Sequence, residues 1–175
     1  MASPYTYLLS SLPVLEFSGK ILFTFAEFIE RNKQLLSEED LTLINFIFNS
    51  NIYDYPGKQN VLLRFKEFEV GLRNELVKIR SVRKKIEVNK YFRGENIFDN
   101  SFYHIAIAAH HAKSPLEAEH VLDQARFNYL DELSFGHYFD KDALLIYCLK
   151  LSILERWLKI NLANASNLLQ ESLKN

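Results

Sequence analysis

Cysteine, proline and glycine are all scarce in this 175-residue chain, which holds one Cys, four Pro and five Gly. The lone Cys148 excludes an intrachain disulfide and a cysteine-based metal cluster, and it suits a reducing compartment. So few glycines and prolines leave little material for tight turns, and long regular elements are expected. No uninterrupted apolar run approaches the ~20 residues that span a bilayer. Residues 5–15 are apolar but lack the basic flank and the Ala-x-Ala-like cleavage site of a signal peptide. A cytoplasmic, soluble protein is expected, one that meets a membrane only through a partner. Catalytic motifs are missing as well: there is no Gly-x-Ser-x-Gly, no phosphate-cradling glycine loop and no paired-carboxylate motif. Cys148 lies amid Leu144, Leu145 and Leu149, an apolar setting that keeps a thiol inert. Neither an enzyme nor a cofactor nor a small-molecule substrate is expected.

What is present is core material and unevenly spread charge. Apolar residues make up 48% of the chain and aromatics 14%, with 14 Phe, enough to build a substantial core. The net charge of −1 hides three regions. Residues 1–57 carry 3 basic and 7 acidic side chains, residues 58–93 carry 11 and 4, and residues 94–175 carry 7 and 11. An asymmetry of this kind speaks of partners more than of fold.

Helix signals dominate. Thr24 with Glu27 forms a capping box ahead of Phe25, Phe28 and Ile29. Ser37 followed by Glu38, Glu39 and Asp40 starts a second helix, with acids where the helix dipole favours them. Tyr55-Pro56-Gly57 marks the clearest break. Val61, Leu62, Phe65, Phe68, Leu72, Leu76, Ile79, Val82 and Ile86 then place one long helix over about 58–90, with Gly71 as its weak point. That length predicts a helix that protrudes or breaks near Ser81. Further helices are expected from Asp99 to Ala112, from the Ser114-Pro115 cap with Glu117 to Leu133, from the Asp140 cap onward, and over 162–173. The helix after Asp140 should be the most buried. The spacing predicts an all-α fold, an irregular bundle of about six to seven helices. It forms a single domain over 1–175, divided into 1–57, 58–93 and 94–175, with an extended N-terminal segment and a strand conceivable only at 5–9.

Two constellations invite chemistry. His104 and His111, with the Glu-x-x-His pair Glu117 and His120, suggest a di-iron bundle, but such a site needs two of these pairs and Glu117 is engaged as a cap. No metal is therefore expected. The cluster Lys78, Arg80, Arg83, Lys84, Lys85, Lys90 and Arg93 falls at the C-terminal end of the long helix, where the dipole favours cations. It reads first as a solvated helix end, then as a contact for an acidic protein surface, and last as a nucleic-acid site. Tyr91 and Phe92 are the only aromatics beside it, and a pI near 6.5 is low for a nucleic-acid domain.

The opening PYTYLLSSLPVLEF, followed by FAEFIERNKQLLSEEDLTLINFI, resembles a bacterial family of uncharacterised proteins encoded among the genes of archaeal-type (V/A-type) rotary ATPases. Tyr5, Tyr7, Leu8, Ser11, Leu12, Pro13, Leu15, Phe28, Leu36, Ser37 and Asp40 fall on its opening pattern. The run YLDELSFGHYFDKDALLIYCLKLSILERW, residues 129–157, is similar through Leu133, Phe139, Leu144, Tyr147, Lys150, Leu151, Ile153, Leu154, Arg156 and Trp157. The resemblance implies a non-catalytic cytosolic subunit or assembly factor of such an ATPase, a short counterpart of the C-type (d-type) subunit that couples the central shaft to the membrane rotor. Its partners would be other ATPase subunits. The implied contact residues are Tyr5, Tyr7, Leu12 and Pro13, together with Arg80, Arg83, Lys84, Lys85, Lys90 and Arg93. Tyr5 to Leu15 is expected to lie as an extended or irregular segment across the helices begun at Thr24 and Asp140.

Overall fold

A computed structural model describes residues 5–19, 21–94 and 100–172, with side chains described as far as Ala163. Among the described residues there are seven α-helices, two short 3-10 turns and no strand, so the protein is all-α. The chain divides into two compact units, Met1–Ser50 with Ser134–Asn175, and Asn51–Leu133.

The first unit contains α1 (Thr6–Ser11), α2 (Phe25–Asn32), α3 (Glu38–Asn49) and α7 (Lys141–Ser172). The opening is thus helical where an extended segment or strand is expected. The Ser10 hydroxyl donates to the Thr6 carbonyl and Ser11 to that of Leu8, so the short helix satisfies its own acceptors. Pro13 then ends it, because a residue before proline is driven out of the helical region. Leu12 accordingly sits at φ −81°, ψ 139°. Both expected capping boxes form. Thr24 with Glu27 opens α2 and Ser37 with Asp40 opens α3, each side chain accepting from the other residue's backbone N–H. α7 encloses Leu144, Leu145, Cys148 and Leu151 fully, but it is not the most buried helix among the described residues, since the helix Asn60–Lys84 has ten buried positions to its eight. α7 also runs on where two helices are expected. Nothing between Leu158 and Leu162 breaks a helix, and the Glu155–Lys159 ion pair spans the join. The end expected at Leu173 lies outside the described residues.

The second unit contains α4 (Asn60–Lys84), α5 (Asn100–His110) and α6 (Pro115–Leu133). α5 packs on both α4 and α6. Its core joins Phe68, Leu72, Phe102, Ala109 and Leu122, with Phe68 stacked on Tyr129 at 4.2 Å and edge-on to Phe102 at 5.4 Å. Gly71 lets the Phe102 side chain of α5 pack close, since a Cβ there would lie 2.4 Å from its ring. α6 starts on the Ser114 cap, with Glu117 accepting from the Lys113 N–H. The start expected at Asp99 for α5 lies outside the described residues. α4 stops short of residue 90. Lys85 turns left-handed at φ 53° and its N–H closes on the Ser81 and Val82 carbonyls. The longest helix is therefore α7, not α4.

Candidate contact surfaces

In the first unit, the opening residues divide into those that hold the fold and those left on the surface. The Tyr5 hydroxyl donates to the Asp40 carboxylate at 3.1 and 3.2 Å, and Lys141 at the start of α7 lies 3.3 Å from the same group. Asp40 is 2% exposed. Burial works to raise its pKa, but donation from Ser37 and Tyr5 and the Lys141 charge outweigh it and hold the carboxyl below its ordinary value. Farther along, Tyr147 on α7 donates to the Pro13 carbonyl at 3.2 Å, and the Phe17 ring meets Trp157 edge-on. The opening is stitched to α3 and α7.

Tyr7 is exposed instead, and Leu12 and Pro13 are half-buried. With Leu22, Phe23 and Leu35 they line an open groove of about 460 Å³, with Arg31 at its edge. Tyr7 is 73% and Leu22 66% exposed, and the neighbouring Val14 88%.

In the second unit, the basic residues separate. Arg80, Arg83, Lys84 and Lys85 are exposed on the last turns of α4 and at its left-handed stop. Lys90 and Arg93 are not part of that end, because the chain folds back along α4 after Lys85. The Asn74 amide accepts from the Arg93 N–H at 3.0 Å and donates to the Arg93 carbonyl at 2.9 Å, while Arg73 donates to the Tyr91 carbonyl. The Arg93 guanidinium lies 4.7 Å over the Tyr53 ring, and Lys90 pairs with Glu87 at 3.4 Å in full view of solvent.

A buried ion network in the same unit escaped the sequence reading. Arg126 on α6 grips both oxygens of Glu69 on α4, at 2.5 and 3.2 Å, and donates to Asp123 at 2.8 Å. The Tyr53 hydroxyl also reaches Glu69. Burial and the Glu69 charge push that phenol up to about 12. Burial lowers the Arg126 pKa, but the Glu69 and Asp123 carboxylates overcome it and raise the value, so the guanidinium stays charged. The signal that could have found this network is a glutamate inside the apolar stripe Phe65, Phe68, Leu72 of α4.

Among the described residues no three of His, Cys, Asp and Glu converge on one point. Burial pushes the Cys148 thiol well up from its ordinary value. Among the described residues no helix is long and apolar enough to cross a membrane.

The sequence model of one family, Protein of unknown function (DUF2764), matches residues 63–175. The chain belongs to this family. The DUF2764 match takes in most of α4 and all of α5 to α7, hence the basic helix end, the ion network and the run 129–157, while the opening lies before it. No curated protein and no solved structure matches the chain.

Proposed function

We propose that the protein is a non-catalytic subunit or assembly factor of a V/A-type rotary ATPase, coupling or stabilising the soluble part against the membrane rotor. The observation that carries the reading is the stitching of the two stretches that resemble the ATPase-associated family. Tyr5 and Pro13 from the opening are held by Asp40 and Tyr147, the first of these on α3 and the second within the 129–157 run. The marker residues thus build one element, and that element leaves Tyr7, Leu12 and Pro13 around an open groove of mixed apolar and polar lining, which supports contact with a protein partner. The exposed cations at the end of α4 supply a second contact of opposite character, for an acidic protein surface. The protein would be cytoplasmic and peripheral to the membrane through the complex.

Affinity purification of the tagged protein from a cell that expresses the ATPase tests this. It should recover A-, B-, D- or E-type ATPase subunits, with recovery reduced by Tyr7→Ala combined with Leu22→Ser. Recovery of none of these subunits overturns the proposal.

A further inference from the structure

Between the C-terminal half of α4 and the outer face of α5 runs an open groove of about 540 Å³. Its floor is apolar, made of Ile79 and Val82 from α4 and Tyr103 and Ile107 from α5. Val82 is 79% exposed although it continues the apolar stripe of α4, so that stripe outlasts the cover α5 gives it. The rim carries positive charge at Arg83, with Lys78 and His110 also bordering the floor. The one acid lining the groove, Glu75, is buried and paired with Lys78. Arg83 makes no ion pair among the described residues.

We infer that this groove seats an acidic amphipathic helix of a partner protein. An apolar floor between two helices accepts the i, i+3, i+4, i+7 face of a third. Arg83 beside that floor selects a glutamate or aspartate on the flank of the incoming helix and disfavours a basic one, while Lys78 is already paired with Glu75. Charge complementarity decides the occupant. A nucleic acid would set its phosphates on the cations but leave Ile79, Val82 and Ile107 facing a polar backbone, so the floor favours a helix. The inference rests on the basic helix end being a contact surface and not on the ATPase assignment. It can therefore hold where purification recovers no ATPase subunit, and fail where purification succeeds.

The test uses the full chain and three fluorescein-labelled synthetic peptides of ~18 residues, long enough for about five helical turns. One carries leucines at i, i+3, i+4 and i+7 flanked by glutamates, the second has lysines for the glutamates, and the third scrambles the first. Fluorescence anisotropy should show binding of the acidic peptide only, weakened about tenfold or more by Arg83→Glu and by Val82→Glu. Both side chains are exposed, so circular dichroism should show either variant folded. Binding of none of the peptides, equal binding of all three, or acidic-peptide binding that both variants leave unchanged overturns the inference. So does displacement of the acidic peptide by a short single-stranded oligonucleotide, which would make the occupant a nucleic acid. Sedimentation of the protein as a dimer that Val82→Glu dissociates would make it a second copy.

Discussion

Replacing Arg126 with methionine tests the buried network of the second unit. Arg126 bonds both Glu69 and Asp123, and the two carboxylates are 8% and 0% exposed at their side chains. Removing one partner of a buried pair typically costs about 3–5 kcal/mol, because the charge left behind is desolvated and uncompensated. Tyr53 still donates to Glu69 in the variant, at 3.4 Å, which offsets part of the loss. The expected destabilisation is therefore about 3 kcal/mol, a large share of the ~5–15 kcal/mol that holds a domain together. Adding Glu69→Gln to Arg126→Met removes one stranded charge and should recover about 1–2 kcal/mol. Urea unfolding followed by far-UV circular dichroism measures both values. An Arg126→Met protein within about 0.5 kcal/mol of the parent would refute the reasoning. So would a double variant less stable than the single one, since Glu69 without Arg126 would then not be a stranded charge.

Two further perturbations probe the packing and the opening. Gly71→Ala improves helix propensity by about 1 kcal/mol, yet its Cβ meets the buried Phe102 ring at 2.4 Å. Overpacking should win and destabilise the protein by about 1–2 kcal/mol net, and Phe102→Leu in the same chain should relieve most of that in a double-mutant cycle. A stabilised Gly71→Ala protein would show that α5 does not approach α4 so closely. Tyr5→Phe removes one donor from Asp40, at a cost of about 1 kcal/mol for a half-buried bond to a charged group. Because the folded Asp40 pKa lies below its ordinary value, its contribution is present above the unfolded carboxyl pKa and is lost as pH falls through the folded one. Losing a donor moves the folded value up, so acid unfolding of Tyr5→Phe should begin at higher pH than that of the parent. Coincident acid transitions would separate Tyr5 from Asp40.

Much of the local structure was legible because it rests on local chemistry. The caps at Thr24, Ser37, Ser114 and Asp140 each satisfy backbone donors within a few residues, so the sequence alone contains both partners. The burial of α7 was legible for a similar reason, since its apolar residues cover more than half its circumference. The opening was misread because a Tyr- and Leu-rich segment fits strand and helix alike, and only the proline after Leu12 tells where a short helix must stop. Glu69 and Arg126 were missed because 57 residues separate them. Neither says alone that the other waits across the unit.

The basic cluster shows why proximity in sequence misleads about surface. From Lys78 to Arg93 the cations look like one patch only if the helix carries them all. Lys85 breaks that premise, since its left-handed conformation costs a non-glycine residue about 1 kcal/mol or more and is held by closure on Ser81 and Val82. The chain that leaves it returns along α4 until Asn74, itself 1% exposed, clamps Arg93 through both backbone groups. Arg93 is thereby placed over the Tyr53 ring, and it stays exposed like Arg80, Arg83, Lys84 and Lys85. Of these exposed cations it is Arg83 that borders the α4–α5 groove. Its charge counts there because the surface beside it is apolar and partly uncovered.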